Sequence, residues 1–322
     1  MDELANVLGS IVSNATPLVI ASIGETITER VGVVNLSLDG SIALAAMVGF
    51  VTAYASGSAV LGILAGMIAA MLIALLIAVA NIRLKQDQVA VGFVLTLLAA
   101  DLAQFLGQGY TRVPGPTVPT VRIPVLADLP LLGQMLFNHN LLVYLSFFLI
   151  FGMWFLMYRT RYGLELRAVG ERPATAFARG ANVSRVRYLY TAVGGLLIGL
   201  AGASYALAIK PGWANPPVMR GDGWIALAIV IFGGWHPFRV AFGAYLFTGL
   251  RALASVIQQS TDLPLVLVNA VPWVLMILTL LMVSSGTVER LLRVTPKRLQ
   301  GALRNVLRSK PPAALGAQFE RE

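Results

Sequence analysis

The sequence predicts an all-α protein, a polytopic transmembrane helix bundle of about nine spans with one or more broken helices. Three observations support this prediction. The 322-residue chain is 57% hydrophobic. Only 12% of its residues are charged, against about a quarter in ordinary soluble domains. Uncharged runs along the chain reach the ~20 apolar residues that are needed to cross a hydrocarbon core of ~30 Å.

The predicted spans follow one another along the chain. The clearest, residues 58–82, contains no charged side chain. Residues 224–235 are too few to cross a bilayer at ~1.5 Å per residue, so this segment is predicted to begin inside the preceding loop or to be half of a broken helix. The other predicted spans are residues 8–28, 31–54, 88–107, 140–158, 188–209, 240–258 and 265–284.

Basic residues are unevenly distributed between the loops of the two sides. Most of the 24 lysines and arginines fall on the connection 159–187, on the C-terminal tail or on short loops of the same side. The opposite side carries Arg112, Arg122, Lys210 and Arg220. Because basic loops stay on the cytoplasmic side, we expect a multi-pass protein of the bacterial plasma (inner) membrane, with its N-terminus outside and its C-terminus cytoplasmic.

The chain is predicted to divide into two parts. Residues 1–285 form the transmembrane domain, which includes a cytoplasmic segment at about residues 159–187. Residues 286–322 form a basic cytoplasmic tail, for which contact with lipid headgroups is the simplest interpretation.

The sequence lacks residue types that several kinds of chemistry require. The chain has no cysteine and two histidines, His139 and His236, so we predict neither a metal site nor a catalytic residue. No lysine follows a glycine, so the chain has no Walker A loop for ATP. The net charge of +9 is assigned to the membrane surface and not to nucleic acid. We therefore expect no cofactor in this chain.

A few ionisable residues lie within the predicted spans, where a charge costs a few kcal/mol and marks a functional candidate. The paired carboxylates or carboxylate–histidine relay typical of an ion antiporter are not visible among them. Asp39 and Arg251 are expected to form a structural ion pair between helices. The full set is Glu25, Glu29, Asp39, Asp101 and Arg251.

The basic connection between the fifth and sixth spans contains a predicted short helix. Pro173 suits the first turn of a helix, and Gly180 is a natural C-terminal stop. The helix would expose Thr175, Phe177 and Arg179 to the cytosol, where they can contact a partner. The alternative interpretation is a solvated loop whose helix lies on anionic lipid.

Three passages resemble a known family. RAVGERPATAFARGANVSRVR is similar to the coupling segment of ATP-binding-cassette (ABC) importer permeases of the simple-sugar and nucleoside class, in the branched-chain amino acid, ribose and nucleoside permease superfamily. GETITERVGVVNLSLDGSIALAAM resembles the family's second-span signature, and GDGWIALAIVIFGGWHPFRVAFGAYLF resembles its late glycine-rich hairpin. The resemblance covers about residues 15–285. One departure is Arg172, which stands where the family often has asparagine.

The resemblance implies a transport subunit that moves nucleosides inward by alternating access. Partner ATPase subunits would bind ATP and magnesium and hydrolyse the ATP. The other implied partners are a second, non-identical permease and an extracellular substrate-binding lipoprotein. The residues expected to contact the ATPase are Gly170, Glu171, Pro173, Ala174, Thr175, Phe177, Arg179 and Gly180.

Polar residues in the spans that resemble pore-lining ones are candidates for the translocation path. Amides and hydroxyls suit the base edge and ribose of a nucleoside, although each of these side chains would equally well bond a neighbouring helix. The nucleoside branch is favoured by ITERVGVVNLSLDG and by the Trp-His-Pro turn. The alternatives are a ribose-like sugar, an ion-coupled secondary transporter, and a passive channel or scaffold. The path candidates are Asn35, Ser37, Asp39, Gln88, Thr96 and Gln104.

Overall fold

A computed structural model describes residues 2–127, 129–130, 132–215, 217, 219–260, 270, 273–274, 277–278 and 310–319. In this part of the chain the secondary structure is almost entirely helical. The helices are α1 (Asp2–Arg30), α2 (Leu38–Ser56), α3 (Ala59–Ala78), α4 (Gln88–Gly107), α5 (Leu132–Leu136), α6 (Leu141–Arg159), α7 (Arg161–Glu171), α8 (Pro173–Ala178), α9 (Val183–Ser204), α10 (Asp222–Gly233) and α11 (Pro237–Ser260). Single π turns extend α3 (Val79–Arg83) and α9 (Tyr205–Ile209), and a 3₁₀ turn (Gln108–Tyr110) follows α4.

Three helices form the centre of the bundle. In their most apolar stretches, α1, α2 and α9 are 67 to 72% buried, whereas α3, α4 and α6 are 28 to 33% buried. The outer helices are apolar on their exposed faces too, as Leu64 and Leu72 of α3 illustrate. Helices that are apolar on every side suit the interior of a bilayer, so α3, α4 and α6 form the outer layer of this bundle.

Glycines bring the outer helix α3 into backbone contact with the central helices α2 and α9. A Cβ atom at Gly199 of α9 would lie 2.4 Å from the carbonyl oxygen of Gly66 in α3. A Cβ atom at Gly66 would in turn lie 2.7 Å from the carbonyl oxygen of Ala45 in α2. Small residues allow this approach, which is how helices pack closely where lipid supplies no hydrophobic driving force.

Six helices in the described residues are long and apolar enough to cross a membrane, so the predicted count of about nine spans is not confirmed. The six correspond to the first six predicted spans. The predicted short segment 224–235 is the 12-residue helix α10, and 240–258 falls within α11. The predicted span 265–284 lies almost wholly outside the described residues.

One loop departs from the all-α prediction. In the proline-rich connection between α4 and α6, the strands β1 (Thr120–Arg122) and β2 (Asn138–Asn140) pair antiparallel, with Val121 opposite His139. The hydroxyl of Tyr144 in α6 donates to the carbonyl of Val121 at 2.9 Å, which holds the hairpin against the bundle. Runs of three residues are too short for the sequence pattern to reveal.

The two ends of the bundle differ. One end, which we call the basic end, holds the last turn of α1, the α3–α4 connection, α7, α8 and the α10–α11 turn, together with residues 310–319. The opposite end holds the β hairpin and the loop after α9. Arg112 and Lys210 line a cavity of about 320 Å³ there, beside Trp213.

Candidate functional site

The predicted coupling helix is present and exposed at the basic end. Pro173 opens α8, and Gly180 follows it with φ +91°, a conformation that favours glycine. Thr175, Phe177 and Arg179 are exposed, with Phe177 42% exposed. The predicted helix and its glycine stop are therefore confirmed. Ala174 is also exposed, so α8 offers most of its surface to a partner.

The residue before the coupling helix makes no side-chain cap. Arg172 stands at the N-cap of α8, where its guanidinium has no acceptor for a backbone N–H of the first turn. Thr160 does cap the preceding helix α7, since its hydroxyl accepts from the N–H of Gly163 at 3.1 Å. The orientation of α8 therefore depends on α7, which is fixed at both of its ends.

The far end of α7 is seated on α1. A Cβ atom at Gly170 would lie 1.9 Å from the carbonyl oxygen of Arg30, so only glycine fits at this contact. Glu171 lies 3.9 Å from the Arg30 guanidinium. The tyrosine hydroxyl of Tyr190 in α9 donates to the carbonyl of Tyr162 in α7 at 3.3 Å. Helix α7 thus lies between α8 and the end of α1 and contacts both α1 and α9.

The end of α1 in turn holds the α10–α11 turn. Arg30 donates from Nε to the carbonyl of Trp235 at 3.0 Å and from a terminal nitrogen to the carbonyl of Gly234 at 3.3 Å. The indole N–H of Trp235 donates to the carboxylate of Glu29. Sequence reasoning missed Arg30. The available signal was an arginine directly after Glu29, and about one and a half helical turns after Glu25, at the end of an apolar helix.

A polar cluster surrounds the connection between α1 and α2. The carboxylate of Glu25 accepts from the backbone N–H of Asn35 at 3.1 Å. The side-chain oxygen of Asn35 accepts from the hydroxyl of Ser37 at 2.6 Å, and Ser37 lies 3.0 Å from the hydroxyl of Ser41. Glu25, Asn35 and Ser37 are completely buried.

Helix α4 contributes two predicted path residues to the same cluster. The side-chain oxygen of Gln88 accepts from the N–H of Val34 at 2.9 Å, and the hydroxyl of Thr96 accepts from the N–H of Gly40 at 2.9 Å. We call Glu25, Asn35, Ser37, Gln88 and Thr96 together the polar junction.

Two path candidates stand apart from the polar junction. Gln104 is eight residues beyond Thr96 on α4, a rise of about 12 Å, and its amide donates to the carbonyl of Ala100 in its own helix. Asp39 lies at the start of α2 and binds the start of α10. Its carboxylate accepts from the N–H groups of Gly221 and Gly223 at 2.8 and 3.0 Å.

The expected ion pair between Asp39 and Arg251 is wrong. Arg251 instead donates to the carboxylate of Asp222, which also accepts from the hydroxyl of Tyr205. The free N–H groups at the start of α10 attract a carboxylate. These N–H groups donate to Asp39, whereas Asp222 in the same turn pairs with Arg251.

Three buried polar atoms of the junction have no hydrogen-bond partner within the described part of the chain. They are the second carboxylate oxygen of Glu25 and the amide nitrogens of Asn35 and Gln88. Such an atom costs about 1–3 kcal/mol when it stays unpaired, so the junction holds buried hydrogen-bonding groups that the described part of the chain does not satisfy.

Comparison with known proteins identifies the family of this chain. Residues 7–283 match the family described as the permease component of the branched-chain amino acid transport system. A candidate glucose ABC transporter permease of Haloferax volcanii is 39% identical over 82% of this chain and 81% of its own length. A guanosine ABC transporter permease of Bacillus subtilis is 34% identical over 83% and 88%, respectively. A nucleoside ABC transporter permease of Lactococcus lactis is 33% identical over 86% and 93%.

No solved structure matches this chain significantly. The family match spans most of the sequence, and it includes α8, the polar junction and the α10–α11 turn. The chain is therefore a transport subunit rather than an enzyme, and it belongs to the ABC permease family of branched-chain amino acid transport components.

Proposed function

We propose that this chain moves nucleosides inward by alternating access, driven by ATPase subunits bound at its basic end. The observation that carries the proposal is the chain of contacts from exposed α8, through α7 and Arg30, to the α10–α11 turn. A partner that displaces α8 would move two membrane elements at once. ATP and magnesium bind to the partner, and this chain supplies the mechanical link.

The coupling residues fall into two roles. Gly170 and Glu171 seat α7 on α1 through backbone contact and charge. The residues of α8 and its stop form the surface that meets the ATPase, and Phe177 is its largest apolar side chain. These surface residues are Pro173, Ala174, Thr175, Phe177, Arg179 and Gly180.

The polar junction is the proposed inner part of the translocation path. Its amides and carboxylate would hydrogen-bond a passing solute when α1 and α4 separate. Gln104 lies on the same helix as Gln88 and Thr96 and would serve nearer the opposite end. Asp39 holds the starts of α2 and α10 together, so it would open or close the path without binding the solute.

A nucleoside is the substrate that best suits these groups. Its base edge needs amide or carboxylate partners, and its ribose offers hydroxyls to Ser37 and Thr96. Two of the relatives are named for guanosine and for nucleosides. A simple sugar is the second candidate, because the relative with 39% identity is named for glucose.

The remaining expectations follow from the distribution of charge. The basic end would face the cytoplasm, with the N-terminus outside the cell. A second, non-identical permease would complete the path. An extracellular substrate-binding lipoprotein would dock at the opposite end, where Arg112 and Lys210 flank a cavity that suits acidic side chains.

Transport by the purified complex tests the proposal. The complex would be isolated through this chain, reconstituted in liposomes and supplied with ATP on the side of the basic end. Uptake of labelled guanosine, uridine, ribose and glucose is measured with ATP, without ATP, and with a proton or sodium gradient. We expect ATP-dependent nucleoside uptake and a copurifying ATPase. Sugar uptake alone would change the substrate, and gradient-driven uptake without ATP would contradict the coupling mechanism.

A further inference from the structure

Residues 310–319, which we call the C-terminal segment, lie on the protein at the basic end. The sequence predicted a tail in contact with lipid headgroups. Of that tail the structure describes residues 310–319, which pack between the helices α7 and α8 on one side and the α3–α4 connection on the other. Pro312 and Ala314 are buried against the bundle, while Ala313 and residues 316–318 are exposed.

One side of the segment holds the coupling helices. The N–H of Ala314 donates to the carbonyl of Gly170 at 2.9 Å, and the N–H of Ala313 donates to the carboxylate of Glu171 at 3.3 Å. The ring of Phe319 lies 5.7 Å from the ring of Phe177 in α8. The segment therefore contacts both the end of α7 and the exposed helix itself.

The other side holds the membrane helices. The N–H of Gly316 donates to the carbonyl of Gly32, in the α1–α2 connection, at 3.1 Å. The side-chain amide of Gln318 donates to the carbonyl of Lys85 at 2.8 Å, and the Lys85 ammonium donates to the carbonyl of Phe319. Gly32 is two residues before Val34, whose N–H binds Gln88. This side of the segment thus reaches the polar junction.

A buried arginine anchors the middle of the segment. Arg187 of α9 is 2% exposed and donates to the carbonyl of Ala317 at 2.9 Å. Its remaining nitrogens, Nε and the second terminal nitrogen, have no hydrogen-bond partner among the described residues. Because an unpaired buried cation is costly, the bond to Ala317 favours a segment that stays in place.

We propose that the C-terminal segment is a strap that transmits movement of α7 and α8 to the α1–α2 connection and to Gln88, with Arg187 as its positioning residue. This inference rests on the proposed function, since it takes α8 as the ATPase contact. The strap forms a second route beside the one through Arg30. The hydrogen bonds of the strap join two backbone atoms or a side chain and a backbone atom. A displacement of Gly170 is therefore expected to displace Gly32 as well.

Shortening the chain tests the strap. A complex that lacks residues 310–322 is compared with Ala314→Arg, which places a charge at a buried position, and with the control Ala317→Ser, which keeps the carbonyl that Arg187 binds. Uptake and ATP hydrolysis are both measured. We expect uptake per ATP hydrolysed to fall about tenfold in the first two variants, within the range by which residues on a coupling route alter the interaction of two sites.

The opposite results would overturn the strap. Increased uptake after truncation would make the segment an autoinhibitory element, and unchanged coupling would make it a passive lipid contact. Uptake that does not depend on ATP in the unaltered complex would contradict the proposed function itself, and the strap with it. Failure of the strap alone is seen only in the truncated or substituted complex, whereas failure of the proposed function is seen in the unaltered one.

A second experiment needs no truncation. The chain has no cysteine, so Gln86→Cys and Gln318→Cys provide one pair for a short bis-maleimide at the α3–α4 connection. A strap remains attached throughout the transport cycle, so we expect the cross-linked complex to retain the uptake of the same variant before treatment. A cross-link that abolishes uptake would mean that the segment must detach, which contradicts a strap.

Discussion

Arg30 joins three separate elements through one side chain. Its guanidinium donates to two backbone carbonyls of the α10–α11 turn, and on its other side it faces Glu171 of α7. The planar fork of arginine suits two acceptors at once, whereas a lysine ammonium supplies a single point charge. The proposed coupling between α8 and the membrane helices therefore depends on the contacts of this one side chain.

Replacing Arg30 by glutamine should uncouple transport. Each lost hydrogen bond from a charged donor is worth about 1.5–3 kcal/mol, so we expect ATP-dependent uptake to fall between about tenfold and a hundredfold. Arg185→Gln is the matched control, because Arg185 is exposed at the same end of the bundle. Equal uptake by the two variants would show that the route does not pass through Arg30.

Two glycines of the coupling segment should respond differently to an added methyl group. Gly170→Ala places a Cβ atom 1.9 Å from the carbonyl of Arg30, so α7 must move away from α1, at about 1–3 kcal/mol. Gly180→Ala meets open space and bears only the strain of its positive φ, about 1 kcal/mol. Gly109→Ala is the control, with open space and no positive φ. Thermal unfolding in detergent ranks the stabilities of the three variants. A Gly170→Ala protein as stable as the Gly109→Ala protein would contradict the backbone contact between α7 and α1.

At the scale of elements, the exposed surface of α8 is the proposed contact with the ATPase. Phe177→Asp inserts a charge where an apolar ring meets the partner, and Gly180→Pro cannot adopt the positive φ of the glycine stop. We expect both variants to reach the membrane and to hydrolyse ATP without uptake. Phe177→Leu keeps an apolar side chain and should retain transport. Normal uptake with normal substrate-stimulated hydrolysis in Phe177→Asp and Gly180→Pro would exclude α8 as the coupling helix.

The start of α10 depends on the pair between Asp222 and Arg251. Arg251→Gln leaves the buried Asp222 carboxylate with the hydroxyl of Tyr205 as its remaining side-chain donor among the described residues. The loss should be about 1–2 kcal/mol, less than for a fully buried pair, because the Arg251 side chain is 38% exposed. Adding Asp222→Asn to Arg251→Gln should restore most of the lost stability, because the uncompensated carboxylate is then gone. Thermal unfolding of the single and double variants gives the coupling between them, and additive losses would mean that the two residues act independently.

The sequence predicted local features well and long-range partners poorly. The bounds of α8 were predictable because Pro173 and Gly180 act through their own backbone conformations. The partner of Asp39 was not predictable, because the groups that donate to its carboxylate are backbone N–H groups more than 180 residues away. Nothing in the pattern of residues 310–319 shows that Ala314 meets Gly170, since a short apolar peptide carries no periodicity. The polar junction was found in part. Its missed member is Glu25, which sequence analysis noted as an ionisable residue without giving it a partner.

At the scale of the whole molecule, the orientation of the bundle in the membrane determines whether α8 can reach a cytoplasmic ATPase. The basic end gathers the coupling helix, the strap and the α10–α11 turn, whereas the β hairpin and the cavity beside Trp213 lie at the other end. An importer driven from the cytoplasm requires the first group inside the cell and the second outside.

Single cysteines test this orientation directly, because the chain has none of its own. Thr175→Cys on α8 and Thr117→Cys in the loop between α4 and α6 are both at exposed positions at opposite ends. In intact cells, a membrane-impermeant maleimide should label the Thr117 variant alone, and opening the cells should add labelling of the Thr175 variant. The positive-inside rule gives this direction, since retained lysines and arginines mark the cytoplasmic side. The reverse pattern would place α8 outside the cell, where no ATPase is available, and the energy for transport would then have to enter by another route.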